Sequence, residues 1–220
     1  SMGITVNCAP LADLPVKGAH DIIGDRAFGT ECKQVVALAR SQAQGLMDGG
    51  VVPVLKHIPG HGRAFADSHE ELPVVHEPLN ILSQTDFEPF RQLADLPMGM
   101  TAHVLYTAID DKHLATVSPA AIRLIREDIG FNGLLMSDDL SMKAMEGDFT
   151  KRAQDVLSAG CDVVLHCNGK MHEMQAIAKG IKPLSGKSLE RAEKAMTCAG
   201  KAKQFNVADA RTELKSILAA

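Results

Sequence analysis

Five short, nearly continuous apolar runs, each followed by a loop and a helix-length segment, constrain this chain more than any other feature. They lie at residues 4–8, 51–55, 98–104, 133–137 and 162–166. A strand with one wet face alternates apolar and polar residues, whereas a strand covered on both faces reads as an unbroken apolar run. The intervening segments carry helical spacing. Residues 31–48 repeat Val35, Val36, Leu38, Ala39 and Leu46 before stopping at Gly49-Gly50, residues 81–96 form a second helix, and Ser118 caps a third that runs to Ile129 with Gly130 as its stop. Residues 152–159 form a helix ended by Gly160, and further helices are predicted at about 171–180, 188–203 and 211–219.

Such alternation predicts an α/β fold with a parallel sheet covered by helices, either an open doubly wound sheet or part of a (β/α) barrel. The strand ends decide between these. Polar residues follow nearly every run: Asn7, Lys56-His57, His103, Ser137-Asp138-Asp139 and His166-Cys167-Asn168. One rim therefore collects them, as at the carboxyl face of a TIM-type barrel. No GxGxxG or GxxxxGK[ST] loop is present, which argues against a dinucleotide or nucleotide site. With no repeat, low-complexity stretch or linker, residues 1–220 read as a single, incomplete barrel domain of about five parallel strands with flanking helices.

Composition narrows the partners. A net charge of -4 gives no basic surplus for nucleic acid, and one Tyr with no Trp leaves few platforms for stacking bases or sugar rings. No apolar segment approaches the roughly 20 residues that span a bilayer, and Ser1-Met2-Gly3 lacks the pattern of a signal peptide. The five cysteines are odd in number and form no CxxC pair, which points to reduced thiols and a cytoplasmic location.

Chemistry concentrates in the loop KHIPGHGRAFADSHEELP at residues 56–73, where Gly60 and Gly62 permit turns and Lys56, His57, His61, Asp67 and His69 cluster. A metal site is the rival reading of the histidines. Pro59 and the glycines break any helical register like that of HExxH, so no metal and no cofactor are expected. An acidic pair after a strand is also a common helix cap, a lone lysine is commonly a solvated charge, and His103 and His166 read as hydrogen-bonded structural histidines.

The motifs together carry a resemblance. KHIPGHG followed by Asp67-Ser68-His69, IGDRAFG at 23–29, TAHV at 101–104, MSDDLSM at 136–142 and AGCDVVLHCN at 159–168 resemble, in order, the bacterial β-N-acetylhexosaminidases of glycoside hydrolase family 3. That resemblance implies a cytosolic (β/α)-barrel hydrolase that removes terminal β-N-acetylglucosamine from cell-wall fragments, chiefly the disaccharide with 1,6-anhydro-N-acetylmuramic acid, in peptidoglycan recycling. It assigns Asp138 as nucleophile, His69 as acid/base, Asp67 as the partner of that histidine, and Arg26, Lys56 and His57 as sugar-binding residues. A carboxylate can attack the anomeric carbon and later leave as a stable anion, and an ordinary histidine, titrating near ~6.5, suits proton transfer at neutral pH.

Two alternatives accompany this reading. Some relatives with a histidine acid/base transfer the sugar to phosphate, and a silent fragment could act as a binding or assembly module. The five strands begin at what resembles the family's fourth, and the family's Asp-Gln-Glu-Gly-Gly-Arg segment is absent from the sequence. Open edges and an uncovered apolar face are therefore expected, to be met by a second copy of the chain, by rearranged helices or by a preceding segment.

Overall fold

The computed structural model describes residues 3–65, 72–200 and 202–219. Strand β1 (Val6–Asn7) leads through a 3-10 turn (Gly24–Arg26) to α1 (Cys32–Asp48) and β2 (Val52–Ile58). After β3 (Val74–Val75), α2 (Leu79–Gln84) and α3 (Glu88–Gln92) come β4 (Met98–Thr101), β5 (Leu105–Tyr106) and α4 (Pro119–Glu127). The chain continues through β6 (Leu134–Asp139), α5 (Phe149–Ala159), β7 (Val163–Leu165), α6 (Met171–Gly180), α7 (Gly186–Met196) and α8 (Val207–Leu218). Five strands make one parallel sheet in the order β1-β2-β4-β6-β7, while β3 and β5 pair apart from it. This is the expected half-barrel of five parallel strands with flanking helices.

Local signals explain where the helices begin and end. The Ser118 hydroxyl accepts from the Ala121 amide at 3.2 Å, and Pro119 follows at the first helical position, where a missing N–H costs nothing. Asp148 caps α5 by accepting from the Lys151 amide at 2.9 Å, and Gly160 ends that helix with φ of 114°, a conformation L side chains resist.

Each side of the sheet is buried by different partners. The convex side packs Leu55, Ile58 and Leu135 against Val35 and Ala39 of α1, Ile122 and Ile125 of α4 and Val156 of α5. The concave side forms its own cluster of Val52, Val54, Met98, Met100, Leu134 and Met136. Its residues lie in rows across the strands, Val54 with Met98 and Leu134, then Met100 with Met136 and Val163. Ala195 of α7 closes this cluster, with Ala192, Cys198 and Ala199 beside it. The apolar face expected to lie uncovered is thus sheltered by a helix of the same chain, although β1 and β7 still end the sheet.

Several boundaries differ from the sequence expectation, and three of them have clear local causes. The helix predicted over 81–96 is two short helices, because Pro89 tolerates only a helix start, while Thr85 turns its hydroxyl back to the Ile81 carbonyl at 2.7 Å. Asp86 in that break is held by Arg63, Nη2 to Oδ2, at 2.9 Å. Helix α7 stops at Met196 rather than 203, and Gly200, with φ of 72°, donates to the Gly50 carbonyl at 2.8 Å. The first strand is regular only at Val6–Asn7, yet its pairing with β2 continues irregularly, since the amides of Val54 and Lys56 donate to the carbonyls of Ala9 and Pro10, and that of Ala12 to Lys56.

Candidate active site

That irregular continuation delivers Asp13 to the carboxyl rim, where the sequence pattern places only Asn7 from the first apolar run. Asn7 is exposed, whereas Asp13 is wholly buried. Its carboxylate accepts from the His57 ring at Nδ1 over 2.8 Å, from the His57 amide at 3.3 Å and from the His61 amide at 2.6 Å. Pro10 and the small residues around it hide this extended path from a strand pattern. The only sequence signal was an acid closing the apolar stretch Ala9-Pro10-Leu11-Ala12.

Burial alone would raise the Asp13 pKa, but the charge and hydrogen bond of His57 and the neighbouring His61 outweigh it and hold the carboxyl below its ordinary value. Asp13 thereby fixes the His57 ring so that Nε2 points to the opposite side. There it meets Asp138 of β6, with Nε2 and Oδ2 separated by 3.9 Å. That gap is too long for a hydrogen bond and leaves room for a substrate hydroxyl to touch both groups.

Asp138 is buried, with 7% of its surface exposed, and its Oδ1 accepts from the Asp139 amide at 2.8 Å. Alternation along β6 sets Asp138 above Leu134 and Met136 on the concave side. The same alternation along β2 sets Lys56 above Val52 and Val54. Both charges are felt by Cys167 just beyond β7, whose thiol is pushed up to about 11 by burial and by Asp139, Asp138 and Cys8, against the opposing pull of Lys56. A carboxylate, an imidazole and an ammonium from β2 and β6 thus converge on one mouth.

The strand end that presents Asp138 is clamped from below. His103 is fully buried, with Nδ1 2.7 Å from the Thr116 hydroxyl and Nε2 3.1 Å from the Asp139 carbonyl. Burial lowers the His103 pKa, against the pull of Asp138, so Nε2–H donates to that carbonyl as a neutral ring. The Asp139 carboxylate accepts from the Ser141 and Cys167 amides at 3.0 and 3.2 Å, which ties the β6 and β7 loops together. His103 is hydrogen-bonded as expected. His166 differs: among the described residues neither ring nitrogen makes a hydrogen bond, although Nε2 lies 3.2 Å from Glu173 Oε2.

Gly62 is where the loop after β2 must lack a side chain, because a Cβ there would sit 2.1 Å from the Leu14 carbonyl oxygen. This close approach holds the loop against the Asp13 segment, and the Val16 amide reaches the Gly62 carbonyl at 3.2 Å. His61 lies beneath, with burial and the charge of His57 lowering its pKa to about 4. Among the described residues its Nδ1 has no hydrogen-bond partner.

Of the residues singled out in the sequence, the structure brings Lys56, His57 and Asp138 together. Arg26 is exposed on the 3-10 turn, and its guanidinium donates to the Ile22 carbonyl four residues back. Among the described residues no hydrogen bond or ion pair joins Arg26 to the other three. Asp67 and His69 lie outside the described residues. No group of three or more metal-ligating side chains occurs among the described residues, and no described helix is long and apolar enough to cross a membrane.

A parallel half-barrel with a carboxylate, an imidazole and a lysine at the carboxyl ends of its strands has the layout of a (β/α)-barrel enzyme domain. More specifically, the glycosyl hydrolase family 3 N-terminal domain matches residues 1–197, and the chain belongs to that family. A β-hexosaminidase of Methylobacillus flagellatus is 42% identical over 170 residues, covering 76% of this chain and 48% of that protein. One from Alkalilimnicola ehrlichii is 44% identical over 171 residues, covering 76% and 49%. The chain therefore spans about half the length of the curated relatives it matches. Among solved structures, NagZ from Neisseria gonorrhoeae in complex with N-trifluoroacetyl-D-glucosamine superposes with a TM-score of 0.78 at 32% identity, over 89% of this chain and 57% of that one. A family 3 β-N-acetylglucosaminidase from a Paenibacillus species gives 0.80 at 28% identity, over 93% and 43%.

Proposed function

We propose that this chain carries the nucleophile side of a retaining β-N-acetylglucosaminidase, with Asp138 as the attacking carboxylate. The observation that carries this reading is the buried Asp138 carboxylate, on the concave side of the rim, 3.9 Å from an imidazole that Asp13 orients. Asp138 would bond to the anomeric carbon as the aglycone leaves, and water would then release the sugar with retained configuration. In the same reading His69 protonates the leaving oxygen and later takes the proton from that water, with Asp67 holding its ring. Lys56 and His57 grip the sugar hydroxyls, and Arg26 reaches the sugar only if the turn that bears it moves from the Ile22 carbonyl.

The substrate is a terminal β-N-acetylglucosaminide of a cell-wall fragment such as the disaccharide with 1,6-anhydro-N-acetylmuramic acid. An N-acylated glucosamine bound to the Neisseria relative supports that choice of sugar. Five free thiols suit a cytoplasmic setting.

Turnover of an aryl β-N-acetylglucosaminide by the purified chain tests the proposal, and Asp138→Ala should lower it by at least about a thousandfold. Equal activity in wild type and variant overturns the assignment. Product analysis with and without phosphate separates hydrolysis from phosphorolysis. If neither protein turns over, calorimetry with N-acetylglucosamine shows whether the chain acts as a binding module instead.

A further inference from the structure

On the rim opposite Asp138, a cavity of about 470 Å³ opens between α7 and the amino ends of β4 and β6. Its apolar wall includes Leu96 and Pro97, and its polar side is built from Asn132, Arg191 and Lys194. A second hollow shares those three polar residues and adds Lys187 and Glu190. Concave sites of this size, largely apolar with a few convergent polar groups, are how small ligands are usually held.

Charge decides the kind of ligand. Asp162 takes both Arg126 and Arg191, at 2.7 and 2.9 Å, so two guanidiniums share one buried carboxylate. Asp95, also in the wall, is neutralised by Arg40 at 2.7 Å. Lys187 and Lys194 add two cations against the single Glu190. Of the charged side chains that line the two hollows, Arg191, Lys187 and Lys194 exceed Asp95 and Glu190 by one charge.

Donors are also free to act. Arg191 uses Nη1 on Asp162, and among the described residues its Nη2 and Nε make no hydrogen bond. Lys187 and Lys194 make no ion pair among the described residues. A guanidinium fork beside an ammonium, over an apolar wall, suits the three oxygens of a phosphoryl group joined to a small organic body. A net positive lining favours the roughly -1.5 to -2 charge of a phosphate monoester near neutral pH.

We propose that this amino-rim cavity is a binding site for a small phosphate monoester, held by Arg191 and Lys194 with its organic portion against Leu96 and Pro97. The site lies at the opposite end of the strands from Asp138 and does not depend on the sugar chemistry proposed there. Because α7 supplies both cations and covers the concave cluster, occupancy would fasten α7 to the sheet.

Calorimetry of the full 220-residue chain with glycerol 3-phosphate, with inorganic phosphate, and with glycerol plus chloride at matched ionic strength tests the site. Saturable binding of glycerol 3-phosphate is expected, stronger than that of inorganic phosphate, with none for glycerol. Lys194→Gln, an exposed substitution whose folding is checked by its melting profile without ligand, should weaken binding about tenfold. Lys56→Gln, at the other rim, should leave it unchanged. Absence of saturable binding, equal affinity in Lys194→Gln, or loss of binding in Lys56→Gln would each overturn the proposal.

Discussion

Asp138 and Asp162 are buried carboxylates at opposite ends of the neighbouring strands β6 and β7, and they are treated differently. Asp162 precedes β7 and is saturated: Oδ2 accepts from Arg126 at 2.7 Å and the Leu135 amide at 2.9 Å, while Oδ1 accepts from Ser188 at 2.7 Å and Arg191 at 2.9 Å. Asp138 lies next to the end of β6 and accepts at 2.8 Å from the amide of its own successor, and among the described residues the His57 imidazole, 3.9 Å away, is too distant to bond. A carboxylate whose lone pairs are all occupied holds elements together. One left with unfilled acceptor capacity at a concave mouth is free to meet a substrate.

The widest separation between the two should come from paired isosteric substitutions. Asp162→Asn removes the charge that neutralises two guanidiniums, and breaking a buried ion pair in this way costs about 3–5 kcal/mol. For a chain of this length that is a fall in Tm of roughly 10 °C. Because Asp162 anchors Ser188 and Arg191 of α7, loosened packing should also expose the concave cluster to a hydrophobic dye. Asp138→Asn should change stability by no more than about 1 kcal/mol, in either direction. Thermal melts of both variants settle the contrast, and a loss in Asp138→Asn equal to that in Asp162→Asn would erase it.

Acid should act next, through the carboxyl rim. His61 has its pKa lowered to about 4, so between about 6.5 and 4 the unfolded chain takes up a proton that the folded chain refuses. Stability contributed by neutral His61 is therefore present above about pH 6.5 and lost as the pH falls towards 4, by on the order of 3 kcal/mol. Asp13 contributes in the same protonation sense, at lower pH. Its folded pKa is depressed, so its contribution is present above 3.8 and is lost as the pH falls further, through the folded pKa. Urea unfolding at pH 7, 5.5 and 4 measures the decline, and His61→Asn should flatten it across that window. An unchanged slope in the variant would place the acid sensitivity elsewhere.

The alternation of apolar runs was enough to read the parallel sheet, because strands buried on both faces leave an unbroken hydrophobic signature. Asp138, Lys56 and His57 were legible for a related reason: they end or follow such runs, and β strands deliver those positions to one rim. Asp13 escaped notice because Pro10 interrupts the pattern and its pairing to β2 is irregular, so the apolar run ends before it. The two-guanidinium clamp on Asp162 was equally hidden, since it joins α4, the start of β7 and α7 across up to 65 positions of sequence. The predicted 81–96 helix breaks because Pro89 allows only a new helix start, and Arg63 holds Asp86 within that break.

The smallest effect belongs to an ion pair that looks as close as those of Asp162. Lys151 Nζ lies 2.7 Å from Asp155 Oδ2, one helical turn along α5, yet the two side chains are 64% and 41% exposed. Water screens such a pair, and holding two long side chains offsets most of the attraction. The order is also the weaker one, with the cation placed N-terminal to the acid, and Lys151 stands in the first turn of α5 where the helix dipole disfavours positive charge. A double-mutant cycle through Lys151→Ala and Asp155→Ala should return a coupling of about 0.2–0.4 kcal/mol that disappears in 1 M salt. A coupling above about 1 kcal/mol would mean that distance alone governs ion pairs in this fold. In that event the contrast between a saturated, buried Asp162 and an under-occupied Asp138 would have to be explained by something other than burial and lone-pair occupancy.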